Sequence, residues 1–200
     1  MKKQIVIGTK NKDKLRELQK LLKGAGIRVL SLGDFPPCRD VKENGKTFEA
    51  NARKKARVYS KHTGLLTLGD DSGLMVRALN GKPGVYSARF AWPGCSYSDN
   101  NKKLLRLMKG LKGGKRQAKF VCVAALYDKG KFVGLARGEC AGQIARSLAG
   151  KNGFGYDPVF VPSGLKKTFA ELLQAAKARV SHRGRALRAA SKVIRRYVKS

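Results

Sequence analysis

Residues 65–79 read "LLTLGDDSGLMVRAL". The apolar opening predicts a buried strand that ends at or near Asp70 and Asp71, with the acidic pair at a strand end or edge. On extended backbone, neighbouring side chains point to opposite faces, so one carboxylate would face a site and the other would support or cap it. Taken alone, "DDSG" reads more simply as a turn closed by Asx hydrogen bonds. Acidic residues are nevertheless scarce, 13 against 44 lysines and arginines, so two side by side call for a cause.

On the N-terminal side of this stretch, "TFEANARKKARVYSKHTG" (residues 47–64) predicts a helix capped by Thr47 or a neighbour, with Glu49 in its first turn and bases after it, as the helix dipole favours. Before it come a strand in "QIVIGT", a helix in "NKDKLRELQKLLKGAG" with leucines 15, 18, 21 and 22 on one face, and a short strand in "IRVLSL". On the C-terminal side, "NGKPGVYSARFAWPGCS" is too rich in Gly and Pro for regular structure. A helix in "DNNKKLLRLMKGLKGG" and a hairpin of "QAKFVCVAALYD" with "GKFVGLARGECAGQI" come next. "AGKNGFGYDPVFVPSG" is a loop feeding a short strand, and an amphipathic helix closes the chain from about Ser181 to Val198. This order predicts an α/β or α+β fold with a mixed sheet.

A chain of 200 residues, 42% hydrophobic, can bury one substantial core, so residues 1–200 are expected to form one domain or two closely joined lobes. No apolar run approaches the ~20 residues that cross a bilayer. "MKKQIVIGTK" turns to glycine and charge after three apolar residues, so no signal peptide or membrane partner is expected, and the cytoplasm is the expected compartment. Cys38, Cys95, Cys122 and Cys140 lack metal-site spacing and read as reduced packing residues. The net charge of +31 attracts polyanions, but the bases are spread along the chain, which points to non-specific nucleic-acid attraction.

Three constellations could carry chemistry. In "GTKNKDK" (residues 8–14), Thr9, Lys10, Asn11, Lys12, Asp13 and Lys14 stand where a strand meets a helix, a place suited to phosphate, although spacing alone favours an ordinary turn. Glu43, Glu49, Asp70 and Asp71 could gather around a hard cation such as Mg²⁺ beside a polyphosphate. "FGYDP" (residues 154–158) with "SHRG" (residues 181–184) offers an aromatic face, a carboxylate, an imidazole and a guanidinium, the groups that read a purine edge. Alone, "SHR" is more often a helix cap.

Together with "ENGKTFEANARKKA", "PGVYSARFA", "DNNKKLL", "GFGYDPVF", "KTFAEL" and "SHRGRAL", these motifs resemble the inosine triphosphate pyrophosphatase (Ham1) family nearly end to end. The resemblance implies an elongated α/β fold, a long mixed sheet with flanking helices forming two lobes around a central cleft, and a homodimer. It implies Mg²⁺-dependent hydrolysis of the non-standard purine nucleotides ITP, dITP and XTP to the monophosphate and pyrophosphate. It places Thr9, Asn11, Lys14 and Lys55 on the triphosphate, Glu43 and Asp71 at the metal, and Asp71 as general base, flanked by Asp70 and Ser72. Phe154, Gly155, Tyr156 and Asp157, with Lys177, His182 and Arg183, fall to the nucleotide pocket, Phe154 along the base and His182 and Arg183 donating to a purine O6. Acids usual in the family are neutral or basic here in "AAK", "CAGQI" and "AGKNGFG", whereas the motif acids remain, as metal binding and water activation would require. Two alternatives stand beside this one: a nucleic-acid-binding protein on the same fold, motivated by the charge, and a Maf-type pyrophosphatase for modified pyrimidine nucleotides, which "SHRG" and "FGYD" oppose.

Overall fold

The computed structural model describes residues 3–9 and 12–199, other than the side chains of residues 12–14 and 17. In chain order the elements are β1 (Lys3–Ile7), α1 (Lys12–Leu22), β2 (Ile27–Ser31), α2 (Phe48–Thr63), β3 (Thr67–Val76), α3 (Tyr97–Leu107), β4 (Gln117–Asp128), β5 (Lys131–Ile144), β6 (Phe160–Pro162), α4 (Gln174–Val180) and α5 (His182–Lys199). The strands form one sheet in the order β2-β1-β3-β4-β5-β6. β1 runs parallel to β2 and to β3, while β6 is antiparallel to β5, so the sheet is mixed and the fold is α/β.

β3 departs from expectation. It does not stop at the acidic pair but continues through it to Val76, and β1 and β4 flank it in the sheet. Asp70 and Asp71 therefore stand inside a central strand, at neither its end nor a sheet edge. Burial outweighs the turn preference of "DDSG": Asp70 and Asp71 are buried, and Leu74 and Val76, both fully buried, anchor the second half. The short helix α4 is a further addition to the expected elements.

The chain divides into two compact units. The first comprises Met1–Asp71, Cys122–Gly138 and Gly184–Ser200, and the second Ser72–Val121 and Glu139–Arg183. In the first, Ile5, Ile7 and Leu68 of the sheet pack with Leu18 and Leu22 of α1 and Leu187 and Ile194 of α5. In the second, Leu74, Leu104, Met108 and the rings of Phe120, Phe160 and Phe169 form the core, with Phe120 edge-on to Phe160 at 4.7 Å. The Thr47 hydroxyl caps α2 by accepting from the Ala50 amide at 3.0 Å, and Gly64, at φ 66°, closes it. Lys129 and Gly130, at φ 48° and 82°, make the tight β4–β5 turn. All four cysteines are free thiols, and no helix among the described residues is long and apolar enough to cross a membrane.

The packing of α2 on β3 is unusually close. A Cβ at Gly69 would stand 2.5 Å from the Ala56 backbone nitrogen and 3.0 Å from the Ala52 carbonyl oxygen, so only glycine allows this approach. Gly69→Ala should lower the unfolding free energy by about 1–3 kcal/mol, read by urea denaturation, because the obstacle is backbone and cannot rotate away. An unchanged midpoint would show that the helix and strand can part without cost.

Candidate active site

In the first unit, residues two apart on β3 share a face, so Asp71 lies on the side that Gly69 turns to α2. There the Asn51 side chain, 1% exposed, donates from Nδ2 to Asp71 Oδ2 at 2.9 Å and accepts from the Gly45 amide at 2.7 Å. One amide thus ties the "ENG" loop to the strand. One turn further along α2, Lys55 Nζ meets Glu43 Oε1 at 2.7 Å. Lys54 holds the same loop through the Lys42 carbonyl at 3.0 Å and Asn44 Oδ1 at 2.8 Å.

The electrostatics centre on Lys55. Burial pushes its pKa down, but Asp70, Glu43 and Asp71 more than offset burial, and the net direction is upward. Three carboxylates thus act on one ammonium. Asp70 and Asp71 are both buried. Glu49 is not among the carboxylates that act on Lys55; it pairs with Arg53 along the helix at 2.7 Å. Among the described residues no three His, Cys, Asp or Glu side chains converge into a ready metal cage. Such a donor set suits Mg²⁺, which binds through one or two carboxylates, water and substrate phosphates in preference to an all-protein cage.

Thr9 is half-buried just past β1, where the preceding Gly8 amide donates to the Leu68 carbonyl at 2.7 Å. Lys10 and Asn11, and the side chains of Lys12, Asp13 and Lys14, lie outside the described residues. Lys55, expected on phosphate, is here bonded to Glu43.

In the second unit, a cavity of about 130 Å³ brings together all eight residues from Ser72 onward that the sequence assigns to substrate, among them Phe154, Lys177, His182 and Arg183. Asp157, 3% exposed, organises one wall: it accepts from the Phe154 amide at 2.7 Å and pairs with Lys177. Gly153, at φ 78°, has no room for a Cβ because the Asp157 carboxylate occupies that space. Across the loop, Asn101 Nδ2 donates to the Gly155 carbonyl at 2.8 Å. The Phe154 ring lies beside two cations, with Arg183 Cζ 5.1 Å and Lys177 Nζ 5.3 Å from its centroid. Arg183 Nη2 reaches Ser72 Oγ at 3.5 Å, while its buried Nε has no partner among the described residues.

Sequence reasoning missed part of the pocket. Phe120 stacks on His182 at 4.4 Å and 8°, and Gly73, Ser87, Ala88 and Tyr97 complete the lining. Tyr156 plays a narrower part than expected of a pocket residue. It is 4% exposed within the core, and its hydroxyl donates to the Ser87 carbonyl at 2.8 Å. Burial, then the nearby Cys95, push its phenol well above the ordinary value, so it stays a neutral donor bracing the wall.

A mixed-sheet α/β protein with a carboxylate cluster around a lysine and an aromatic pocket rich in N–H donors is the class that fold and site define. The sequence profile of the Ham1 family matches residues 5–193, and the chain belongs to that family. It is 47% identical to the dITP/XTP pyrophosphatase of Desulforamulus reducens over 96% of each chain, and 50% identical to that of Geobacter sulfurreducens over 92% of each. Among solved structures, a HAM1 protein from Coxiella burnetii superposes with a TM-score of 0.89 at 40% identity, covering 96% of this chain and 98% of that one. The Staphylococcus aureus Ham1 protein gives 0.85 at 36% identity, covering 98% of both.

A lysine whose pKa is raised on folding contributes stability in full below its unfolded value, 10.5, and loses it as pH rises through the folded value. The difference in unfolding free energy between the wild type and Lys55→Met should therefore hold steady below 10.5 and shrink above it, as measured by urea denaturation into the alkaline range. A difference that stays flat would mean that the carboxylates do not hold the charge on Lys55.

Proposed function

We propose that the chain is a nucleoside triphosphate pyrophosphatase that hydrolyses ITP, dITP and XTP to the monophosphate and pyrophosphate, with Mg²⁺, as a homodimer in the cytoplasm. The observation that carries this reading is the pocket in which Phe154, His182 and Arg183 stand together, with the Arg183 Nε donor uncommitted. A planar base lies along Phe154, and donors at His182 and Arg183 meet a carbonyl at purine C6. Adenine presents an amino donor at that position, which leaves buried donors unpaired and disfavours ATP. The names of the relatives, dITP/XTP pyrophosphatases, support the same substrate class.

In the reaction, Asp71 takes the proton of the attacking water. The Asn51 amide donates to its Oδ2 and so holds the carboxylate in one orientation, as a base requires. Lys55 lies close enough to Asp70, Glu43 and Asp71 to stay charged and to stabilise negative charge on the phosphates. Glu43 and Asp71 are the residues that would hold Mg²⁺, which when bound neutralises phosphate charge. Thr9 and the segment after it, including Lys10, Asn11, Lys12, Asp13 and Lys14, belong with the triphosphate in this assignment. The diffuse basic surface adds a non-specific attraction for nucleic acid, weakened by salt.

The test is a pyrophosphate-release assay with ITP, XTP, GTP and ATP, with and without Mg²⁺. Asp71→Asn keeps an acceptor for Asn51, so the fold should survive while turnover falls about 10²–10⁴-fold. Near-normal turnover in a folded variant would remove Asp71 from the role of base. In the same assay, Arg183→Ala should lower kcat/KM on ITP more than on ATP, narrowing discrimination by about 1–3 kcal/mol. Equal losses on both nucleotides would place Arg183 on the phosphates or in the fold.

A further inference from the structure

A second cavity in the Ser72–Val121 and Glu139–Arg183 unit, of about 240 Å³, shares no residue with the base pocket. Its charged lining is Arg106, Lys109, Lys112, Arg116 and Arg146, over a floor of Leu105, Met108 and Leu111, and no acidic residue contributes to it. Arg116 is the unusual member, for it is 8% exposed and every bond it makes goes to a backbone carbonyl. Nε donates to Ile144 at 2.7 Å, Nη1 to Met108 at 2.8 Å and Leu111 at 3.2 Å, and Nη2 to Ala145 at 2.5 Å. A guanidinium has five N–H donors, so these four bonds leave one. Carbonyl dipoles solvate the cation without neutralising it, and a buried charge is costly unless it is paired. Burial, and then the charge of Arg146, depress the pKa of Arg116, a repulsion that a bound anion would relieve.

We propose that this cavity is an anion site for a compact phosphate-class ligand of two or more charges, with Arg116 at its base and Arg146 and Lys112 at its rim. Arginine forks match phosphate oxygens in pairs, and the apolar floor strengthens such bonds by limiting water around them. A concave cavity ringed by cations suits a free di- or polyphosphate better than a nucleic-acid backbone, whose single charges are spaced along a chain.

The probe is inorganic pyrophosphate, titrated into the full-length protein without divalent ions at constant ionic strength and followed by backbone amide NMR. Saturable shifts are expected at residues 109–112 and 145–147. Binding at the proposed catalytic residues would show at other amides, around residues 70–72 and 154–157. Replacing Lys112 and Arg146 together by alanine should weaken the first set about tenfold. The equal charge change at the exposed Lys131 and Lys166 should leave it intact. Shifts that fail to saturate, or an equal loss in both double variants, would reduce the site to diffuse electrostatics. A 5′-hydroxyl oligonucleotide that moves the same amides at equal or lower concentration would overturn the free-anion assignment in favour of a nucleic-acid backbone. No hydrolysis is read, so failure here leaves the pyrophosphatase assignment standing, and the converse holds.

Discussion

At Gly69 the backbone of β3 comes so near α2 that a single methyl group would meet the Ala56 nitrogen, and the carboxylate cluster depends on that approach. With strand and helix at this separation, Asn51 reaches Asp71, and Lys55, one turn on, comes under the influence of Asp70, Glu43 and Asp71 together. A wider gap would leave Asn51 buried and out of reach of Asp71. The scarcity of acid in the chain matters less here than distance. Buried carboxylates are tolerable only where a donor or a cation is held within reach, and a glycine provides the reach.

The cavity around Phe154 rests on a different device. Asp157 is nearly inaccessible, and its Oδ2 serves both the Phe154 amide and Lys177. Phe154 is therefore oriented through its own backbone, while its ring keeps two cations beside it. By its bonding, Asp157 is a positioning residue, and the ring, the His182 imidazole stacked on Phe120, and Arg183 line the cavity beside it. Such division of labour sets the donor geometry of the cavity in advance of any ligand.

Much of this is legible in the sequence, and the exceptions share a cause. The Thr47 cap, the glycine stop of α2 and the turn at Lys129 and Gly130 depend on local chemistry and stand where the local pattern puts them. The eight pocket residues can be named because motifs carry them. Phe120 cannot, since in "QAKFVCVAALYD" it is one apolar residue of a buried strand, and only the tertiary fold brings His182 onto its face. β3 runs past its expected end for a related reason: turn propensity is local, whereas the core that buries Leu74 and Val76 is not. Arg116 likewise looks like one base among 44 until four carbonyls from two separate segments converge on it.

The distribution of acid invites a more general account than metal binding alone. Asp34, Asp99 and Glu171 each accept from the residue three before them, Ser31, Ser96 and Thr168, and those bonds hold all three carboxyls below their ordinary range. Glu49 pairs with Arg53, Glu139 with Lys119, and Asp128 accepts from the Tyr197 hydroxyl. In a chain at +31, these six acids thus stand where a backbone amide, a hydroxyl or a neighbouring cation uses them, whether or not a substrate is involved. The presence of a carboxylate in this chain is therefore weak grounds for chemistry. What separates Asp70 and Asp71 from the capping acids is burial inside a central strand combined with a shared, charged lysine, an arrangement that a turn or a helix cap does not need.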